Sequence, residues 1–178
     1  MRALQRGQQD LRLPEGNTVA WWGIQGMGWQ QFIPSLRLDV ALRSPPKIIV
    51  IHLGGNDITR HSIGGMARLI KQGIQYLRAA FPRTILIWVD ILPRISWGVV
   101  EGAVSAIHGK VRRINVEGHK IISKGVGVKF HVLKIDIYRH TLGFFREDGV
   151  HLSVVGLEFY LDSLRDCIIF NLSKGCPR

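Results

Sequence analysis

Acidic side chains are scarce in this sequence. Asp and Glu number 13 against 24 Lys and Arg in 178 residues, a formal charge of +11. That balance excludes an acidic, solvating tail and makes an anionic partner conceivable, such as nucleic acid held through a basic surface. The basic residues are dispersed, however, without a block of five or more, which is the pattern of a solvated surface. Cysteine is almost absent: Cys167 and Cys176 are the two present, and they build no disulfide framework. A reducing cytoplasmic or nuclear setting is the corresponding expectation. No apolar run reaches the roughly 18 residues that a membrane-crossing helix needs. The segment Met1–Asp10 is polar and has no hydrophobic stretch of signal-peptide type.

Hydrophobic residues make up 46% of the sequence, enough for one packed domain. The expected division is a single domain over residues 1–172 and a tail over 173–178. Within it, apolar runs alternate with helical stripes, the pattern of an α/β protein. Strands are expected over Thr18–Gly23, Lys47–Leu53, Thr84–Asp90 and Lys129–Ile135. The continuous run Ile48-Ile49-Val50-Ile51 suits a parallel strand covered on both faces. Ile63, Met66, Ile70, Ile74, Leu77 and Phe81 fall on one helical face. Val100, Ala103, Ile107, Val111, Ile114 and Ile121 form another, with Lys110, Arg113, Glu117 and Lys124 turned outward. Ser153 is placed to cap a last helix with a buried stripe of Leu157, Leu161, Leu164 and Ile168. The alternation implies a three-layer α/β/α sandwich on a parallel sheet. Ligands in such folds bind beyond the C-terminal ends of the strands, which points to the loops after Gly23, Leu53 and Asp90.

Two of those places carry chemistry-bearing residues. Gly54-Gly55-Asn56-Asp57 follows the second strand. Its glycines let the backbone approach a ligand, and Asn56 offers a neutral amide donor suited to an oxyanion. The same residues also make an ordinary turn. Asp148-Gly149-Val150-His151 precedes the last helix. There a carboxylate can fix the imidazole tautomer and leave Nε2 as a general base. An acidic residue at a helix start is the plainer reading of that motif.

Together, in this order and spacing, the motifs resemble blocks three and five of the SGNH (GDSL-like) hydrolase family. Trp22-Gly23-Ile24-Gln25-Gly26 resembles block two. The resemblance covers roughly residues 18–172 and implies a flavodoxin-like sandwich that hydrolyses esters or related acyl groups through an acyl-enzyme. Carried over by position, it implies Gly26 (Gly28 as the alternative) and Asn56 as oxyanion donors. His151 becomes the base and Asp148 its orienting partner, with Gly54, Gly55 and Asp57 completing the motif. The implied partner is a small ester or acyl substrate, and no cofactor is implied.

The departure from the family lies in block one, whose nucleophilic serine sits in a Gly-Asp-Ser-like segment after a central first strand. Residues Met1–Asn17 contain no serine and no apolar strand, and their polar residues suggest the end of a helix. Ser35 and Ser44 lack the expected context. The sequence therefore predicts a sheet without its first central strand and a site without its nucleophile, inactive as written. Its natural form is expected to carry the serine further upstream. A non-catalytic domain that binds nucleic acid through its basic surface is the alternative. Trp21, Trp22, Trp29, Trp88 and Trp97 read as core or rim packing. The histidines show no metal-ligand spacing, so no metal site is expected, and Gly23–Gly28 is not a dinucleotide fingerprint.

Overall fold

The computed structural model describes residues 11–42, 45–125, 127–130 and 143–174. The elements run α1 (Trp29–Leu42), β1 (Ile48–Ile51), α2 (Ile63–Ala80), β2 (Ile85–Val89), α3 (Val104–Ile122), β3 (Gly127–Phe130) and α4 (Val154–Ser173). The strands form one parallel sheet in the order β1-β2-β3, with Ile48 opposite Ile85 and Leu86 opposite Gly127.

Alternation along β2 sorts the core into two layers. Leu86 and Trp88 face a cluster built with α1, α2 and α3, which includes Trp29, Met66, Ile70, Ile74, Leu77 and Ile114. Ile85, Ile87 and Val89 face the opposite side, where Tyr160, Leu164 and Ile168 of α4 close over them. Helices on both faces of a parallel sheet make the expected three-layer sandwich. The tryptophans anchor the first layer: Trp29 stacks on Trp88 at 5.9 Å with the rings 13° apart. Gly118 of α3 lies flush on Trp88, where a Cβ would come within 2.5 Å of the indole. Trp97 is buried as well, whereas Trp22 is exposed.

Several expectations are corrected. Thr18–Gly23 is not a strand. It runs without a backbone ladder, and Val19 and Trp21, like Ile48 and Val50, pack against the α4-side core through their side chains. Asn17 Oδ1 accepts a hydrogen bond from Lys47 Nζ at 3.4 Å on the same flank. A strand exists only against a partner edge, and among the described residues none pairs with the outer side of β1. Accordingly β1 is half-buried over Ile48–Val50, while β2 is buried throughout. The last strand begins earlier than expected, at Gly127, and residues 131–142 lie outside the described residues. So do residues 1–10, on which most of the suggested helix end falls, and residues 11–17 are not helical.

The third helix starts at Val104 after a short 3-10 turn, which leaves Val100 at 79% exposure rather than in a buried stripe. Lys110 does not point outward: its ammonium donates to the Ile58 carbonyl. Helix α4 continues to Ser173, one residue into the supposed tail. Ser153 does cap it, accepting from Gly156 N at 3.1 Å.

Candidate functional site

The loop after β1 turns at Gly54, whose φ of +116° lies in the region that side chains rarely adopt. A Cβ there would also press to 2.9 Å from Ile91. Asp57, next in the motif, is buried and accepts the backbone N–H of Trp29 at 3.1 Å, fastening the start of α1 to this loop. Burial pushes its carboxyl above the usual range, against the opposing pull of the Trp29 hydrogen bond and of nearby His61 and Arg60. Asp57 therefore supports the loop from behind.

Asn56 faces the cleft. Its Nδ2 donates to Met27 O at 3.1 Å, and its Oδ1 accepts from Arg94 Nη2 at 3.5 Å. An amide nitrogen carries two hydrogens, so one remains for a ligand. Gly26, at φ +71° in the adjoining turn, lines the same small cavity as Asn56. Its N–H has no hydrogen-bond acceptor among the described residues. The alternative, Gly28, has its N–H engaged by Gln31 Oε1 at 3.1 Å, which leaves Gly26 as the available donor.

On the other flank, Asp148 organises the turn before α4. Its Oδ1 accepts from Val150 N at 2.8 Å and His151 N at 2.9 Å, and its Oδ2 meets His151 Nδ1 at 2.7 Å. Those bonds, the His151 backbone first and its ring second, hold the carboxyl well below its ordinary range. The His151 side chain is 70% exposed.

The loop after β2 joins the two flanks. Asn115 clamps its start, accepting from Ile91 N at 2.9 Å and donating to Ile91 O at 3.2 Å. His119 Nε2 pairs with Asp90 Oδ1 at 2.6 Å just before it. Further along, Ile95 N and Ser96 N both donate to Gly149 O, at 2.8 and 3.1 Å. Arg94, one residue earlier, contacts Asn56 and feels the Asp148 charge. The loop after β2 thus touches Asn56 on one side and Gly149, within the Asp148–His151 turn, on the other.

Arg94, Trp97, Thr59 and Arg60 line the cavity with Gly26, Gly55 and Asn56, and the motif reading did not single them out. The signal was positional: the rule of strand C-terminal ends had pointed to the loop after Asp90. Of the two serines weighed as nucleophiles, Ser35 lies on α1 and bonds the carbonyls of Gln31 and Phe32, at 2.8 and 2.9 Å. Ser44 lies outside the described residues. Burial pushes the Cys167 thiol up, which keeps it from thiolate chemistry.

No protein-family model matches the sequence, and no curated protein matches it. Solved structures do. A protein named as a platelet activating factor from Streptococcus pneumonia is 22% identical, with a TM-score of 0.71 over 86% of this chain and 74% of that one. A GDSL-like lipase from Bacteroides thetaiotaomicron is 20% identical, with a TM-score of 0.61 over 80% and 71%. A carbohydrate esterase of family 3 from Talaromyces cellulolyticus is 19% identical, with a TM-score of 0.59 over 84% and 70%. At such identities the likeness is one of fold. Among the described residues no helix is long and apolar enough to cross a membrane.

Proposed function

Because this chain has the fold of the SGNH hydrolases, we propose that it holds the oxyanion and acid–base parts of an ester hydrolase, without the nucleophile that would make them turn over. The observation that carries this reading is the shared loop: Arg94 touches Asn56 while Ile95 and Ser96 bond Gly149, inside the Asp148–His151 turn. In this reading Asn56 Nδ2 and Gly26 N donate to the oxygen on which charge develops as an ester carbonyl becomes tetrahedral. Asp148 receives the Nδ1–H of His151, fixing the tautomer that leaves Nε2 free to take a proton. The substrate class is a small ester.

In this reading the piece to be supplied is a hydroxyl beside Nε2 of His151. Among the described residues the outer edge of β1 has no strand partner, and in this reading a serine-bearing strand would pair there. Fusing a designed segment ahead of Leu11, in which a strand runs into Gly-Asp-Ser and then a helix, tests the reading. The expected result is ester hydrolysis that disappears in both the serine-to-alanine and the His151→Ala versions. A folded fusion whose activity ignores His151 refutes it.

A second reading rests on the charge of +11 and on exposed Arg60, Arg112, Arg113 and Lys124, which suit nucleic-acid phosphates. It requires binding to an oligonucleotide that weakens steeply with salt. No shift in a gel at low ionic strength removes it.

A further inference from the structure

Arg94 is half-buried beside the amide assigned to the oxyanion, and no part of the proposed reaction uses it. Its guanidinium lies over the Trp97 ring, 4.9 Å from the centroid. Gly55 makes room for it: a Cβ on Gly55 would stand 2.5 Å from Arg94 Nη2. Among the described residues no carboxylate lies within salt-bridge distance of Arg94. Asp148 is near enough to favour its charge, but the Asp148 oxygens are already occupied by Val150 and His151. Of the five N–H donors of a guanidinium, the one side-chain acceptor met here is Asn56 Oδ1, at the long distance of 3.5 Å. The buried Trp97 Nε1–H on the same wall also lacks an acceptor among the described residues. Arg60 adds a second positive charge to the lining.

A partly desolvated cation whose nearest carboxylate stands beyond salt-bridge distance is costly unless something supplies a closer partner. A planar guanidinium fixed on an indole is preorganised for the oxygens of a carboxylate or phosphate. The cavity holds about 230 Å³, room for a small acid group.

We propose that Arg94, positioned by Trp97 and by the absence of a side chain at Gly55, binds an anionic group on the substrate, so that the ester this site takes carries a carboxylate or phosphate close to its reacting carbonyl. This rests on the hydrolase-like reading for the word ester, and on the Arg94 geometry for the anion. Arg94 selects the substrate and does not itself carry out a bond-breaking step.

The test is a titration of the isotope-labelled chain, followed at the Trp97 indole, the Asn56 side-chain amide and the Gly26 amide. The probes are monomethyl succinate, dimethyl succinate and inorganic phosphate. Monomethyl succinate is expected to bind at least tenfold more tightly than the neutral diester. Arg94→Gln abolishes that preference and Arg94→Lys keeps part of it. Gly55→Ala, which pushes the guanidinium aside, weakens it without touching the charge. Stronger binding of phosphate than of monomethyl succinate assigns the anion as a phosphate. Equal affinity for mono- and diester, or a preference that survives Arg94→Gln in a folded variant, overturns the proposal. The two readings fail separately. Shifts at Trp97 that leave Asn56 and Gly26 unmoved keep the anion site and refute the oxyanion role. Equal shifts at Asn56 and Gly26 with either ester do the reverse.

Discussion

Asp148 holds His151 at two levels, taking the residue's backbone N–H at 2.9 Å with one oxygen and meeting its ring Nδ1 at 2.7 Å with the other. One carboxylate therefore shapes the turn and aims the imidazole. The arrangement depends on the carboxylate being ionised, and the folded protein holds that group well below its ordinary value. A depressed carboxyl contributes stability that is fully present above its unfolded value, near 4, and is lost as the pH falls through the folded one. Asp148→Asn is thus expected to melt below the wild type at pH 7, with the gap narrowing as the pH drops under about 4. Thermal unfolding at a series of pH values reads this directly. A gap that is constant with pH contradicts it.

Asp57 carries the opposite sign. Burial raises its carboxyl, so the folded state disfavours the ionised form. Stability attributable to this group falls as the pH rises from the ordinary carboxylate range through the raised value. Asparagine still offers an oxygen to the Trp29 N–H. Asp57→Asn should therefore gain on the wild type as the pH rises across that window, in the same unfolding series. Greater loss at high pH than at low pH would mean that the ionised form is the favoured one.

Gly118 tests the packing of the first layer. Alanine in the middle of a helix gains about 1 kcal/mol over glycine from backbone propensity. At this position its Cβ would sit 2.5 Å from a fully buried indole, and overpacking of that kind costs about 1–3 kcal/mol. The clash is expected to win, so that Gly118→Ala lowers the urea midpoint. A raised midpoint shows that Trp88 gives way freely.

The sheet edge gives a fourth expectation. Strand β2 is paired on both sides, whereas β1 has a single partner among the described residues. Backbone amides of Ile85–Val89 should be among the slowest to exchange with deuterium, and those of Ile48–Ile51 markedly faster. Equal protection in the two strands would mean that another segment covers the outer edge of β1.

The parts legible in the sequence were those whose pattern is local. The run Ile48–Ile51, the stripe from Ile63 to Leu77 and the Ser153 cap each state their own structure, and each stands where expected. Thr18–Gly23 has the composition of a strand but pairs with no neighbour among the described residues, and a sequence window cannot see a neighbour. Helix α1 went unread: it contains Pro34, and Gly28 rather than a capping side chain precedes it. The site divides in the same way. Asp148 and His151 are three residues apart and could be paired by spacing. Arg94 and Asn56 are 38 apart, and that Gly55 leaves space for a guanidinium is visible only once β1 and β2 lie side by side.

The central claim is that an oxyanion pocket and a base stand here without a nucleophile. Hydrolysis of p-nitrophenyl acetate by the unaltered chain, measured beside His151→Ala, tests it most directly. Loss of a triad member typically removes several orders of magnitude in rate, so the two proteins should match each other. A rate that vanishes with His151 contradicts the account and means that a nucleophile in this chain, the imidazole itself or a hydroxyl beside it, is attacking the ester.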